Sequence, residues 1–249
     1  MKTLSLPVAA PARYELAFAE HLDDVRAAQR LRFEVFNLEL HEGLSEAFTT
    51  GLDADEFDEV CDHLIVRERA TGAVVGTYRL QTGRSAALHR GYYSAREFNF
   101  SPYEQHRDEL VELGRACVAA DHRNLSVLHL LWRGIARHAQ AHGARYLTGC
   151  SSLTTQDEAA ALATFRGLAS SHLIEERLQT RPLPGWRCSA LHGRAIARPV
   201  PKLLRAYLAL GAKICGEPAI DREFGTIDFL TWIDLRSLPV RTLQKILGE

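Results

Sequence analysis

Between Asn124 and Gly143 the apolar residues Leu128, Leu131, Trp132, Ile135 and Ala139 recur at helical spacing. Asn124 stands where a cap belongs and Gly143 where the helix stops. The preceding stretch, Glu109–Val118, predicts a strand. A strand that runs into a helix N-terminus leaves free backbone N–H groups and a positive dipole end at the turn, which suits a phosphate or a polarised carbonyl.

The rest of the chain reads in the same way. Tyr14–Ala19 predicts a strand, and Leu22, Val25, Ala28 and Val35 predict a helix over His21–Leu40. His63–Arg69 and Ala73–Gln81 form a hairpin around the turn Ala70–Gly72. Past the central helix come a strand at Arg145–Ser152, a helix at Thr155–Leu168 and a helix at Lys202–Leu210 that Gly211 ends. A short strand at Lys213–Cys215, a strand at Ile227–Asp234 and a tail helix at Leu238–Leu247 complete the order. Strands interleaved with helices, with an antiparallel hairpin early, predict an α/β domain with a mixed central sheet flanked by helices. The expected layout is a loose arm over residues 1–13, one domain over 14–240 and a short tail over 241–249. The Pro-rich, basic stretch Gln179–Pro201 predicts an ordered loop, part of a flap spanning 173–200.

Composition narrows the classes. The chain has 249 residues, 46% hydrophobic and 24% charged, an ordinary globular mix. A net charge of −1 provides no global field for nucleic acid. Five scattered cysteines, none in a C-x-x-C pair, fit reduced thiols in a cytoplasmic protein and argue against a zinc site, so no metal is expected. No stretch approaches the roughly 20 apolar residues of a membrane span. The opening MKTLSLPVAAPA is broken by Pro7 and reads as an arm rather than a leader.

Candidate chemistry starts in the central strand. Glu112 and Arg115 would face opposite ways in a regular strand, but a bulge at Gly114 would turn both into one cleft. An ordinary strand ion pair explains the two residues equally well. The acidic run LDADEFDEVCDH lacks the glycine and closing glutamate of a calcium loop and reads by itself as a solvated loop.

Taken together, these residues resemble a known family. An R-x-x-x-F helix end (Arg32, Phe36), spaced acids (Asp55, Asp58), an arginine late in the hairpin (Arg79) and E-x-x-R in the central strand (Glu112, Arg115) stand in the order of the acyl-homoserine-lactone autoinducer synthases. Those enzymes have the GNAT acyltransferase fold. The tryptophan that branch carries just after the phenylalanine is absent from FNLELHEGL. The tail, PKLLRAYLALGAKICGEPAIDREFGTIDFLTWIDLRSLP, more closely resembles the hemolysin-like ornithine acyltransferases that make lyso-ornithine lipid. The resemblance covers about residues 14–240 and makes the C-terminal portion an extension of the GNAT core.

What the resemblance implies is transfer of a 3-hydroxy fatty acyl group from acyl carrier protein to the α-amine of L-ornithine. Glu112 would be the base, directly or through water, with Arg115 beside it. A backbone N–H at Cys117 or Val118 would meet the oxyanion. Arg32, Phe36, Asp55, Asp58 and Arg79 would order the amino acid, or else form a structural Asp–Arg network. The pantetheine arm would lie between the central strand and Arg145–Ser152, and the acyl chain among Phe98, Phe100, Trp132 and Leu147. The turn ADHRNLSVL has no glycine, which favours a carrier-protein donor over coenzyme A, although acyl-CoA stays open. Arg84, Arg123, Asn124 and Ser126 are the expected carrier and pantetheine contacts, and no tightly bound cofactor is expected. The competing readings are a lactone synthase, an N-acyl amino acid synthase with another acceptor, and a non-catalytic acyl-carrier-binding regulator. An amphiphilic product implies a cytoplasmic protein that touches the inner membrane.

Overall fold

A computed structural model of the chain describes residues 12–189 and 195–239. Eight strands build one sheet: β1 (Tyr14–Phe18), β2 (Asp62–Glu68), β3 (Val74–Thr82), β4 (Leu110–Val118), β5 (Tyr146–Leu153), β6 (Lys213–Ile214), β7 (Ala219–Asp221) and β8 (Thr226–Asp234). The order is β1-β2-β3-β4-β5-β8-β6, and β7 also pairs with β8. Only β4 and β5 run parallel, so the sheet is mixed as expected. The helices are α1 (Leu22–Phe33), α2 (Ala47–Thr50), α3 (Gly83–Leu88), α4 (Leu125–Ala141), α5 (Glu158–His172) and α6 (Lys202–Ala209).

The two-residue period of the strands sorts their side chains between two layers. Leu64, Val66, Tyr78, Leu80, Val111 and Leu113 pack beneath Val127, Leu131 and Ile135 of α4 and Tyr207 of α6. Leu131 and Ile135 are each 1% exposed, and burying such a side chain contributes about 1.5–3 kcal/mol. The Asn124 side chain accepts the N–H groups of Ser126 and Val127, the cap its position predicts. His63, Arg79, Gln81 and Glu112 lie on the opposite face, beneath α1. The acids just before β2 thus meet polar strand positions.

Two departures from regular structure shape that polar face. The expected helix over His21–Leu40 remains α-helical only through Phe33, then widens into a π-turn at Glu34–Glu39. Phe36 lies in this turn, packed edge-on against Phe224 at 5.4 Å. The second departure is the bulge. Arg79 pairs with Gly114 and Thr77 with Cys117, so Arg115 and Ala116 together oppose Tyr78. The bulge lies just past Gly114, and the left-handed residue is Arg115, at φ +49°.

The parallel seam is short. β4 and β5 pair only at Leu110–Tyr146, Val111–Leu147 and Glu112–Thr148, and then diverge. At the point of divergence Gly149 has φ +155°, and a Cβ there would sit 2.1 Å from the carbonyl oxygen of Leu113. The three-residue strand β7 escaped the sequence reading because it is too short to show a period, and α5 starts at Glu158, capped by Asp157, rather than at Thr155. Residues 1–11 of the expected arm, residues 190–194 of the flap and the tail helix beyond Pro239 lie outside the described residues.

Candidate active site

Where β4 leaves β5, a cleft of about 760 Å³ passes from one face of the sheet to the other. On the α4 and α6 side its wall is apolar, with Leu113, Leu128, Leu131, Leu203 and Leu204. On the α1 side it meets Arg79, Tyr93, Glu112, Arg115 and Asp228. The bulge brings Glu112 and Arg115 to the same cleft.

The floor beneath that polar end is a network of three arginines and three aspartates. Arg32 spans Asp58 with Nη1 at 3.0 Å and Nη2 at 2.6 Å, and its Nε lies 2.9 Å from Asp53. Arg79 reaches Asp55 at 2.5 Å and Asp58 at 2.9 Å. Arg115 reaches Asp55 at 2.9 Å and Asp53 at 3.3 Å. Gln29 donates to Asp58 at 2.8 Å, and His63 Nε2 lies 3.0 Å from the Asp58 carbonyl oxygen. Burial pushes the Asp58 carboxyl up, but the Arg32 and Arg79 guanidiniums outweigh it and hold it below the usual carboxylate range. Asp55 behaves alike, with Arg79 and Arg115 outweighing its desolvation. The six formal charges cancel.

The acidic run is therefore no solvated loop. Asp53 and Arg32 are fully buried. Arg32, Asp58 and Arg79 are joined in one Asp–Arg network. Asp55 and Arg115 belong to it as well, and Arg79 and Arg115 also reach the cleft wall. Both of these guanidiniums stack over the Tyr93 ring, at 5.2 and 5.0 Å from its centroid, and Arg115 also covers Phe224 at 4.6 Å.

Glu112 is buried, and its two oxygens accept the N–H groups of Tyr93 (2.7 Å) and Ser94 (2.8 Å). Desolvation raises its carboxyl above the usual range, partly offset by these donors. It therefore holds the 93–96 turn as well as facing the cleft. Cys117 is buried with its thiol pushed up by desolvation, so it stays protonated.

A second acidic group lies on the same side of the cleft. Carboxyl oxygens of Glu97 and Asp228 and the thiol of Cys150 lie within 4.8 Å of one another. Asp228, Glu42 and Asp221 line the cleft, with Glu97 behind them. Burial raises Glu42 to about 7 and Asp228 to about 6, and it lifts Glu97 well above the usual range, with Asp228 adding to the effect. Sequence reasoning passed over Glu97 and Asp228. Their signal was an acid at an inward position of an otherwise apolar run, as in TIDFLTWID.

Several expected contacts fall elsewhere. Phe98 and Phe100 pack with Tyr103 and Trp232 in a separate core, Trp132 packs on Tyr207, and Leu147 is core. None of the four lines this cleft; the three aromatic side chains find partners in the interior, and Leu147 faces only a small cavity beside the β4–β5 split. Arg84 is exposed and paired with Asp108 at 3.1 Å, away from the cleft. Arg123 and Asn124 do line it, but Arg123 is clasped by Glu39 at 2.5 and 2.6 Å and Asn124 is occupied as a cap. Ser126 lends its backbone N–H to that cap. No described helix is long and apolar enough to cross a membrane.

Comparison with known proteins agrees with this architecture. Residues 31–133 match the model of the acetyltransferase (GNAT) domain. Two synthases of known structure share the fold. One is the acyl-homoserine lactone synthase LasI, with a TM-score of 0.52 and 14% identity, covering 94% of each chain. The other is FeeM, an N-acyl amino acid synthase from uncultured soil microbes, with a TM-score of 0.52 and 12% identity, covering 90% of this chain and 92% of that one. Sequence relatives are closer. The L-ornithine N(alpha)-acyltransferase of Rhodobacter capsulatus is 35% identical over 242 residues, 92% of this chain and 93% of its own. That of Agrobacterium fabrum is 31% identical over 251 residues, 94% of this chain and 85% of its own. With that identity running nearly end to end, the chain is an N-acyltransferase of GNAT fold and belongs to the L-ornithine N(alpha)-acyltransferase family.

Proposed function

We propose that the enzyme moves a 3-hydroxy fatty acyl group from acyl carrier protein to the α-amine of L-ornithine, giving lyso-ornithine lipid. The observation that carries this reading is the cleft through the sheet, apolar at one end and acidic at the other. A thioester entering between β4 and β5 would lay its chain along Leu128, Leu131, Leu203 and Leu204. The amino acid would meet it from the Glu112 side.

In the reaction the amine nitrogen attacks the thioester carbonyl. The C–N bond forms, the C–S bond breaks, the nitrogen's proton passes to Glu112 directly or through water, and the departing thiolate takes up a proton. A carboxylate whose affinity for protons is raised by burial suits that role. The oxyanion needs a donor. Ala119 donates its N–H to Val75 across the β3–β4 ladder. Antiparallel alternation then turns the N–H of Cys117 toward β3 and that of Val118 toward the divergent β5 side. Val118 is therefore the better candidate.

The glycine-free turn at 119–124 and the engagement of Arg123 with Glu39 favour a protein-bound pantetheine over free coenzyme A, whose pyrophosphate needs open backbone amides. Exposed Leu40 and Leu125 at the cleft wall suit a product that leaves toward the inner membrane from the cytoplasmic side.

The test gives purified enzyme a 3-hydroxyacyl carrier protein, or the same acyl group on coenzyme A, with a panel of amino acids. Product mass with ornithine and the carrier-protein donor supports the reading. Transfer only from coenzyme A, or only to other acceptors, refutes the corresponding half.

A further inference from the structure

We propose that Asp228 and Glu97, with Glu42 at the cleft wall, form a subsite for a second ammonium group, the one on the side chain of the acceptor. The proposal deepens the acyl-transfer reading above and rests on it.

The two charged groups at this end of the cleft differ in their pairing. In the floor, three aspartates meet three arginines at ion-pair distance. On the wall, Glu42, Glu97, Asp221 and Asp228 have no ion-pair partner among the described residues, and Arg115 acts on Glu97 and Asp228 only from beyond contact. With no cation at contact these carboxyls tend to keep their protons in the empty cleft, and an arriving ammonium group would supply the positive charge that lets them ionise.

Asp228 Oδ1, Glu97 Oε1 and Glu42 Oε2 have no hydrogen-bond partner among the described residues. Asp228 is only 5% exposed and Glu97 only 1%. Buried acceptors in a native protein are nearly always satisfied, so these oxygens await donors from a ligand. Asp221, by contrast, is occupied, accepting the N–H groups of Glu223 and Phe224.

The chemistry of the group selects an ammonium over a metal ion. Its third member, Cys150, has its thiol directed at Ser94 Oγ rather than free to coordinate. Two carboxyls, with the Ser152 hydroxyl on the same stretch of cleft wall, suit the three diverging N–H donors of an alkylammonium. Cys150 points its S–H at Ser94 Oγ, 3.4 Å away, and Glu112 accepts the Ser94 N–H at 2.8 Å. The subsite and Glu112 are thus joined through Ser94 and Cys150, so one acceptor with two amines would address both.

The experiment compares L-ornithine with L-norvaline, which has the same carbon chain and lacks the terminal amine, in wild type, Asp228→Asn and Glu97→Gln. The expected result is an ornithine-to-norvaline ratio of kcat/KM that falls by about tenfold or more in each variant, through KM for ornithine. An unchanged ratio overturns the proposal, as does an equal loss on both acceptors. So does a stoichiometric divalent metal in wild type that Asp228→Asn removes. Calorimetry with the same two amino acids reads the subsite without turnover. Ornithine should bind wild type about tenfold more tightly than norvaline, and equal binding overturns the subsite. An enzyme that binds ornithine in this way but acylates no amino acid overturns the acyl-transfer reading alone.

Discussion

Arg115 donates to Asp55 at 2.9 Å from a backbone held at φ +49°. A left-handed residue with a Cβ costs roughly 1–2 kcal/mol, and the buried pairs to Asp55 and Asp53 offset it. The bulge delivers the guanidinium to the aspartates, and the aspartates keep the bulge in place.

Removing that side chain leaves two buried carboxylates short of a partner, so Arg115→Ala should cost about 3–5 kcal/mol of stability. Arg115→Gly should be less damaging than Arg115→Ala by about 1 kcal/mol, because glycine accepts a positive φ freely. Urea unfolding measures both. An alanine variant at least as stable as the glycine variant would show that the positive φ carries no strain.

Glu112 accepts two backbone N–H groups, so Glu112→Ala should destabilise the 93–96 turn by about 1–3 kcal/mol per donor left unsatisfied. Glu112→Gln keeps one oxygen acceptor and turns its NH2 toward the other N–H, so it should lose about 1–3 kcal/mol, less than the alanine variant, and still fold. As a base variant it should lose about 10²–10⁴ in kcat. Wild-type kcat in a folded glutamine variant would remove Glu112 from the chemistry and leave it a structural acceptor.

Stability of the ligand-free enzyme should fall as pH rises from about 4 to 7. Glu42 and Asp228 have ordinary values of 4.5 and 3.8 and folded values of about 7 and 6. The folded state therefore holds protons that the unfolded chain has released, and stability declines through that window. Asp55 and Asp58, held below their ordinary value by arginines, act the other way, and their contribution is lost as pH falls below about 4. Thermal denaturation should show a shallower decline for Asp228→Asn than for wild type. The same slope in both proteins would contradict the assignment.

Gly149→Ala should impair both stability and turnover, since the added Cβ meets the Leu113 carbonyl rather than a movable side chain. The expected cost is on the order of 1–3 kcal/mol. A variant with unchanged unfolding and activity would mean that the seam relaxes freely.

Much of the fold was legible because its signals are local. The Asn124 cap, the period of α4 and the hairpin turn act over a few residues. The E-x-x-R spacing with a glycine inside it announced a bulge, but its position was not local. Arg115, rather than Gly114, takes the left-handed conformation because Asp53 and Asp55, sixty residues away in the chain, pull on its side chain. Asp53 had no role of its own in the acidic run for the same reason, since Arg32 and Arg115 pair with it only in the fold. The uncompensated carboxyls Glu97 and Asp228 come together from separate elements with no spacing to betray them.

Three residue pairs join the β1–β4 half of the sheet to the half built on β5 and β8. Such a joint is mechanically compliant. Past Glu112 no strand pairing spans the gap, and the two halves are held there by the core beneath α4 instead. A guest entering the gap can offer its own amides to the bare edge and act as the missing strand. The enzyme would then be stiffest with its donor in place, and its width at that gap would adjust to the thickness of the chain it carries.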